Sequence, residues 1–176
     1  MPVSQIQNAS LASGVPSAAK LPAGSVLQVV QAVKTDTASS ISASWNDITG
    51  LSVSITPTSS SNKILVFADI NFGTNANNGF AFFKLVRGST DVYIGNAAGS
   101  RTRATTGSAS SGGANTIHCG INYLDSPATT SSTTYKIQWF CQNTVQTIYL
   151  NRVYNDSDSS DFSRNPSSIT VMEIAA

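Results

Sequence analysis

The residue types that could carry nucleophilic catalysis are few. The sequence contains one histidine, His118, and Cys119 follows it directly. A cysteine nucleophile needs a base within hydrogen-bond reach. Because adjacent residues of a strand point to opposite faces, we expect these two side chains not to meet. Pairing of His118 with the more distant Cys141 stays open, and a structural histidine is the favoured interpretation.

The two cysteines, Cys119 and Cys141, each lie in an apolar run. Two cysteines are too few for a disulfide framework, and their spacing does not match a zinc site. We therefore predict buried thiols, because cysteine is among the most frequently buried residue types. A bridge between neighbouring strands is the alternative.

The segment NDSDSSD is the best candidate for binding a metal ion. It places Asp156, Asp158 and Asp161 close together, and carboxylates so spaced can converge on a hard cation such as calcium. The spacing misses the EF-hand pattern, and no glutamate closes the site. We favour a solvated acidic loop and predict neither a metal site nor a cofactor.

Glycoside cleavage uses two acidic groups flanking the bond, and the aspartates would have to supply this pair. None lies in a recognisable motif, and the chain has no HExxH, GxSxG or phosphate-cradling glycine loop. We expect no catalytic residue and no enzyme, and a depolymerising enzyme is only the third hypothesis. The candidate carboxylates are Asp36, Asp47, Asp69, Asp91, Asp125 and those of the acidic loop.

Two sets of side chains suggest binding instead of catalysis. Arg101 and Arg103 form a basic spot that could pair with carboxylates of a neighbouring subunit or another protein; exposed loop charges are the simpler interpretation. Aromatic residues could stack on sugars, although in alternating strands they more often fill a core or an interface. These aromatic residues are Trp45, Trp139, Tyr93, Tyr123, Tyr135 and Tyr149.

The composition limits the partners. Charged residues make up 11% of the 176 residues and hydrophobic residues 40%, and ten basic against nine acidic residues give a net charge of +1. This balance is too small to drive binding to a nucleic-acid backbone or an anionic membrane. No apolar run is long enough to span a bilayer, and the first twenty residues do not resemble a secretion signal. We expect a protein that works where it folds or is released by lysis.

Short β-branched runs separated by turn residues follow one another along the chain. Leu51, Val53 and Ile55 alternate with serine and threonine until Pro57, which is the pattern of a strand with one buried face. We predict nine or ten strands without helices, in an antiparallel β-sandwich or jelly roll. The other predicted strands are VLQVVQAVK from Val26, a short run over Ser42–Ile48, KILVFADINF, FAFFKLVRG with DVYIG as a hairpin, TIHCGINYLD, YKIQWFCQ, TIYLNRVY and SSITVMEIA.

Three of these segments carry a further expectation. KILVFADINF is apolar almost throughout, which predicts a strand covered on both faces. The final strand has Ile169 and Val171 on one face and Met172 and Ile174 on the other, so it belongs inside a sheet or at a subunit interface. Residues 96–115 are rich in Gly, Ser and Thr, and we expect an exposed connection there.

Residues 1–24 form an extended N-terminal arm ahead of a domain over residues 25–176. The arm has three prolines, and its apolar side chains are spaced too widely for a strand or a helix face. Such a segment cannot order itself, so we expect the domain, a sibling subunit or another protein to hold it. Its candidate anchors are Val3, Ile6, Leu11, Val15 and Leu21.

The order of several phrases resembles a recurrent module of phage tail-fibre and other virion structural proteins, especially those of phages of aquatic bacteria and cyanobacteria. These phrases are VLQVVQAVKTDT, SWNDITGLSVSITPTSSSNKILVFADI, GNAAGSRTRA and SSITVMEIA, and the resemblance covers residues 25–176. It implies a homotrimeric jelly roll similar to the globular heads of the tumour-necrosis-factor and complement type.

The resemblance leaves two locations open on the virion surface, which the protein would reach after assembly in the host cytoplasm. The module is not preceded by coiled-coil heptads, collagen-like triplets or β-helix repeats that could form a shaft. We therefore expect a capsid decoration or cement trimer that docks on the major capsid protein through its arm. The alternative is a tail-fibre or receptor-binding tip that grips host surface glycans through loop 96–115 or 156–165.

Overall fold

The computed structural model describes residues 21–75, 79–110, 115–142 and 146–176. Within these ranges the chain forms eleven β-strands and no helix. The strands are β1 (Val26–Lys34), β2 (Ala38–Ser40), β3 (Asn46–Ile55), β4 (Lys63–Thr74), β5 (Gly79–Arg87), β6 (Thr90–Val92), β7 (Thr106–Ser110), β8 (Ile117–Asp125), β9 (Thr133–Cys141), β10 (Ile148–Leu150) and β11 (Ser167–Ile174).

The strands form two antiparallel sheets. In sheet A, β11 lies between β1 and β4, and β8 pairs with the other edge of β4. The short strand β10 pairs with the end of β4 on the same edge as β11, and its other edge pairs with β2. In sheet B, β9 lies between β3 and β5, while β6 and β7 share the far edge of β5. The orders β1-β11-β4-β8 and β3-β9-β5-β7 are those of a jelly roll. The predicted all-β antiparallel sandwich is confirmed.

The core lies between the two sheets and follows the predicted alternation. Leu51, Val53 and Ile55 of β3 are buried, and the serines between them are exposed. Phe72 of sheet A and Phe83 of sheet B meet across the core, with ring centroids 5.1 Å apart. Burying side chains of this size removes enough apolar surface from water to hold the sheets together.

The strand count and two boundaries differ from the prediction. Three strands have only three residues each, which is too short for a periodic signal; one of them, β10, covers only part of the predicted run TIYLNRVY. The predicted strand over 42–48 does not form as such, because β3 begins at Asn46. Ahead of it, the Ser42 hydroxyl accepts hydrogen bonds from the Ser44 amide and the Asn46 side chain. Such local bonds compete with strand pairing.

Part of the low-complexity segment 96–115 is a strand, so the expectation of a continuous exposed connection is wrong there. Strand β7 pairs with residues 79–83 of β5. Gly107 has a packing role, because a Cβ at this position would come within 2.8 Å of the Phe82 ring and of the Ala81 carbonyl. Small residues on an edge strand give no alternating apolar signal, which explains the failure.

The two most apolar strands lie side by side in sheet A. The prediction that β11 lies inside a sheet is confirmed, since it is paired on both edges. The prediction that β4 is covered on both faces is only half fulfilled within one subunit. Its inner residues Ile64 and Val66 are buried completely, whereas Leu65 and Phe67 on its outer face stay half-buried.

Asn151 ties four parts of sheet A together. It is fully buried and adopts φ 63°, a left-handed conformation that asparagine tolerates better than most residues. Its side-chain amide donates to the carbonyls of Lys34 and Asp36, and its side-chain oxygen accepts from the Ser167 hydroxyl. Its backbone amide donates to the Asn71 carbonyl. The ends of β1, β4, β10 and β11 are therefore fixed relative to one another.

The described chain starts beside its own C-terminus. The Gly24 amide donates to the Ala175 carbonyl at 2.8 Å, and the Ala175 amide donates to the Ser25 carbonyl at 2.9 Å. Leu21 is exposed, residues 1–20 of the arm lie outside the described residues, and the division at residue 24 stays a prediction. No helix capable of crossing a membrane occurs in the described ranges.

Candidate interaction surfaces

The outer face of sheet A carries an apolar row that crosses four strands. The strand register places Val29 of β1 opposite Met172 of β11, Met172 opposite Leu65 of β4, and Leu65 opposite Leu124 of β8. Paired residues of neighbouring strands share a face. Val29 is 54% exposed and Leu124 is 47% exposed, although both are large apolar side chains. We call this set, with the adjacent Val26, Val33, Phe67 and Ile174, the sheet A apolar face.

Charged groups lie only at the two ends of the sheet A apolar face. Lys63 stands at one end, beside Ile174. At the other end, His118 Nε2 lies 3.0 Å from Asp69 Oδ1. Uncharged polar residues also lie within this outer face: Thr170 of β11 pairs with Gln31 of β1, and Asn122 of β8 pairs with Phe67 of β4. Depletion of charged residues in the centre of a surface is a common feature of protein–protein interfaces.

The four strands define an outer face of about 19 by 30 Å, since they lie about 4.8 Å apart and are each about nine residues long at roughly 3.3 Å per residue. The apolar side chains cover only part of this area, because Gln31, Thr170 and Asn122 lie on the same face. Exposed apolar patches of a few hundred Å² on a monomer often have a function. A stable interface buries roughly 800 Å² on each partner, so this face would form part of one.

A second exposed apolar surface lies at the β8 edge of the sandwich. Tyr93 follows β6 of sheet B, and its ring stacks on Tyr123 of β8 with centroids 4.9 Å apart. Tyr93 is half exposed and has φ 52°, an unusual conformation for an aromatic residue. The pair bridges the opening between the two sheets on the side where Leu124 lies.

The outer face of sheet B carries an aromatic strip, which consists of Trp45, Phe140, Phe82 and Phe80. Neighbouring ring centroids in this order lie 5.4, 6.1 and 6.2 Å apart. Phe80 is exposed and the other three rings are half-buried. The strip therefore presents ring surface to solvent across β9 and β5.

Phe82 also lines an open basin of about 330 Å³ beneath the segment 95–107. Arg101 and Arg103, which sequence reasoning placed in an exposed basic spot, both line it and are both exposed. Arg103 Nε donates to the Gly95 carbonyl at 2.7 Å, and Arg101 Nη1 donates to the Ala98 carbonyl. Within the described ranges neither arginine forms a salt bridge.

The structure separates the residues that could have formed a cysteine nucleophile. Cys119 points into the core from β8, while His118 lies on the outer face of sheet A. Cys141 is buried on β9 of the opposite sheet, and its thiol donates to the Gln146 carbonyl. The prediction of buried thiols is confirmed, and the alternative of a disulfide bridge is wrong. Burial raises the pKa of the Cys119 thiol, which makes it a poor nucleophile.

The acidic loop uses its first carboxylate, Asp156, for ion pairing. Asp156 accepts two hydrogen bonds from Arg164, at 3.1 and 2.6 Å, and Arg152 approaches it at 3.9 Å. Asp158 and Asp161 are exposed. Within the described residues no group of three metal-ligating side chains converges, so Asp156, Asp158 and Asp161 do not assemble a cation site there.

The five carboxylates outside the acidic loop that were considered for glycoside cleavage have separate partners and do not share one cleft. Four form salt bridges: Asp36 with Lys34, Asp47 with Lys136, Asp91 with Lys84, and Asp125 with Arg87. Asp69 forms a hydrogen bond with the His118 ring. Hydrogen bonds from Lys136 and Gln138 hold the pKa of Asp47 below its ordinary value.

A carboxylate that sequence reasoning gave no role, Glu173, is fully buried at one end of the core. Its oxygens accept hydrogen bonds from Gln28 Nε2, the Thr58 amide and hydroxyl, and Asn62 Nδ2, at 2.6 to 2.8 Å. Burial alone would raise the pKa of Glu173, but these donors hold it below its ordinary value. The chain contains a single glutamate, and that scarcity was the only signal that could have singled it out.

The other aromatic candidates divide between core and surface. Trp139 and Tyr135 are buried in the core. Tyr149 lies under the guanidinium of Arg152, which is 4.1 Å from the ring centroid. Of the arm anchors, Leu21 is exposed, and Val3, Ile6, Leu11 and Val15 lie outside the described residues.

No protein-family model matches the sequence, and no curated protein matches it. Similar solved chains come from "Structure of infectious bursal disease virus Gt strain", with a TM-score of 0.45, 13% identity and coverage of 93% of this chain and 42% of that chain. "Structure of infectious bursal disease virus Gx strain" gives a TM-score of 0.37, 14% identity and coverage of 85% and 36%. The chain thus spans less than half the length of either solved chain. Likeness at this level assigns no function.

Proposed function

We propose that this protein is a non-enzymatic structural subunit of a phage virion, which trimerises through the sheet A apolar face and decorates the capsid surface. The observation that carries the proposal is the apolar row of Val29, Met172, Leu65 and Leu124 on a solvent-facing sheet. Its burial by sister subunits would contribute roughly 25 cal/mol for each Å² of apolar area removed from water.

The two apolar surfaces favour a ring of subunits over a twofold dimer. A twofold interface uses one self-complementary patch, whereas a ring uses two different patches. The sheet A apolar face is one patch, and the edge formed by Tyr93 and Tyr123 is the other. The face of one subunit would then receive the edge of the next, and the sequence resemblance over residues 25–176 implies that three subunits close the ring.

The virion location rests on the sequence resemblance over residues 25–176 and on where the arm begins. The arm ends at Gly24, whose amide donates to the Ala175 carbonyl at one corner of sheet A. Val26 and Ile174, at one end of the sheet A apolar face, lie at the same corner. Arms from three subunits would therefore start around the same end of the trimer. Three weak arm contacts on a shell of major capsid protein would bind together far more tightly than one.

A receptor-binding tip of a tail fibre is the second candidate. The open basin with Arg101 and Arg103 favours it, because this basin lies beside sheet B, whereas the sheet A apolar face lies on the other sheet. Its lining begins at Gly95, two residues after Tyr93 of the proposed edge contact.

Two measurements test these proposals. Sedimentation equilibrium of the purified protein at micromolar concentration should give three times the chain mass of 18.3 kDa; a stable monomer would refute the trimer. Gel densitometry of purified particles should then give hundreds of copies per virion for a decoration protein. A few dozen copies would favour the tail tip instead.

A further inference from the structure

The outer face of sheet B combines two recognition elements at one place. Phe82 belongs both to the aromatic strip and to the lining of the basin that holds Arg101 and Arg103. Phe82 and Phe80 have rings inclined by only 6° to each other. Apolar ring surface and cationic side chains therefore face the same volume of solvent.

The segment around the basin is held by its own hydrogen bonds. The Gly95 amide donates to the Ala104 carbonyl, and the Arg101 amide donates to the Ala98 carbonyl. Arg103 Nε donates to the Gly95 carbonyl, and the Arg103 side chain is exposed. A segment restrained in this way loses less conformational entropy on binding.

The charges of this region favour a carboxylate ligand. The basin lining contains two arginines and no acidic residue. The neighbouring cations on the same face are already neutralised, since Lys84 pairs with Asp91 and Lys136 pairs with Asp47. Guanidinium groups bind carboxylates through parallel hydrogen bonds.

We propose that Arg101, Arg103 and Phe82 form a binding site for an acidic saccharide, a pyranose that carries a carboxylate. The guanidinium groups would bind the carboxylate, and the aromatic strip would cover the apolar face of the sugar ring and of the adjoining sugar. A basin of about 330 Å³ lies at the lower end of the range for small-molecule sites and suits one sugar residue.

A nucleic acid fits this surface less well. Binding a phosphate backbone needs many cations along a groove, because each contact releases counterions. The described part of the chain offers two unpaired arginines at this site, and the net charge of the chain is +1. Two arginines beside a row of rings match a carboxylate on a sugar better than a series of phosphates.

The test uses the full-length protein and isothermal titration calorimetry with oligogalacturonate as the probe. The same oligosaccharide with its carboxyl groups methyl-esterified is the matched ligand control. The variant R101A/R103A removes both guanidinium groups, and F82L removes the ring while keeping apolar volume. K63A is the protein control, since Lys63 is an exposed cation on sheet A, outside both the basin and loop 156–165.

We expect oligogalacturonate to bind, and methyl esterification, R101A/R103A or F82L each to weaken binding by about tenfold or more. K63A should bind like the unmodified protein. The proposal is overturned if oligogalacturonate does not bind at millimolar concentration, if the ester binds equally well, or if R101A/R103A retains full affinity. The inference does not depend on the trimer, because titration reports the site and sedimentation reports the assembly.

Discussion

Arg87 of sheet B and Asp125 of sheet A form an ion pair across the sandwich, with Arg87 Nη1 2.9 and 2.7 Å from the two carboxylate oxygens. The Tyr135 hydroxyl also donates to Asp125, at 2.6 Å. Burial raises the pKa of Tyr135, so its proton stays available for this bond. Burial alone would lower the pKa of Arg87, but the hydrogen bond with Asp125 raises it above its ordinary value.

Removal of Arg87 should therefore be costly. The variant R87M leaves the buried Asp125 carboxylate without its cation, and we expect a loss of about 3 kcal/mol in the free energy of unfolding. The double variant R87M/D125N should lose less free energy of unfolding than the sum of the losses in R87M and D125N, because it has no uncompensated charge. Urea denaturation of the three variants measures these free energies. K136M breaks the partly exposed pair with Asp47 and should cost below about 1 kcal/mol; equal losses in R87M and K136M would contradict the argument.

A charge in the apolar row should separate the subunits without unfolding them. Val29 and Leu124 are about half exposed in one subunit, so V29D and L124D remove little core packing. A buried unpaired carboxylate in an interface costs several kcal/mol, and sedimentation should show monomers at micromolar concentration. S52D, on the exposed outer face of sheet B, should remain trimeric. Trimers of L124D would show that the face is not the interface.

The hydrogen bonds that Glu173 accepts from Gln28, Thr58 and Asn62 should make the free energy of unfolding depend on pH. Because the pKa of Glu173 is lowered in the folded state, the unfolded chain takes up more protons on acidification. Its contribution is therefore present above the ordinary glutamate pKa and is lost as pH falls through the lowered folded value. We expect E173Q to lose about 2 kcal/mol at pH 7.

The difference between E173Q and the unmodified protein should shrink as the pH falls from about 6 to about 3. Chemical denaturation across this range measures it, and D158N, at an exposed carboxylate, is the control. A difference that stays constant with pH would mean that Glu173 is not held as a carboxylate.

Deletion of residues 1–20 should leave a folded trimer that no longer occupies virus particles. The deletion removes no described strand and leaves the Gly24–Ala175 hydrogen bond in place. Circular dichroism and sedimentation measure folding and assembly, and co-sedimentation with particles measures occupancy. An unfolded product, or full occupancy of particles by the shortened protein, would argue against the arm as the attachment element.

The period-2 pattern predicted the longer strands well. Leu51, Val53 and Ile55 are buried as expected, because alternation of apolar and polar residues indicates which side of a strand faces the core. Strand β7 was not predicted, because an edge strand of small residues shows no such alternation. The roles of Glu173 and Asn151 were not predicted either. The hydrogen-bond donors to Glu173, and the two carbonyls that accept from the Asn151 side chain, lie more than a hundred residues away in sequence.

By itself, the sequence determined an all-β sandwich with a strongly apolar last strand, because local alternation and composition are read within a few residues. The tertiary structure decided which apolar side chains remain exposed together. Val29, Met172, Leu65 and Leu124 come from β1, β11, β4 and β8, and they form a row only through the register of these strands. Pairing between distant strands is set by the whole fold, where a shift of one residue would turn each side chain to the other face.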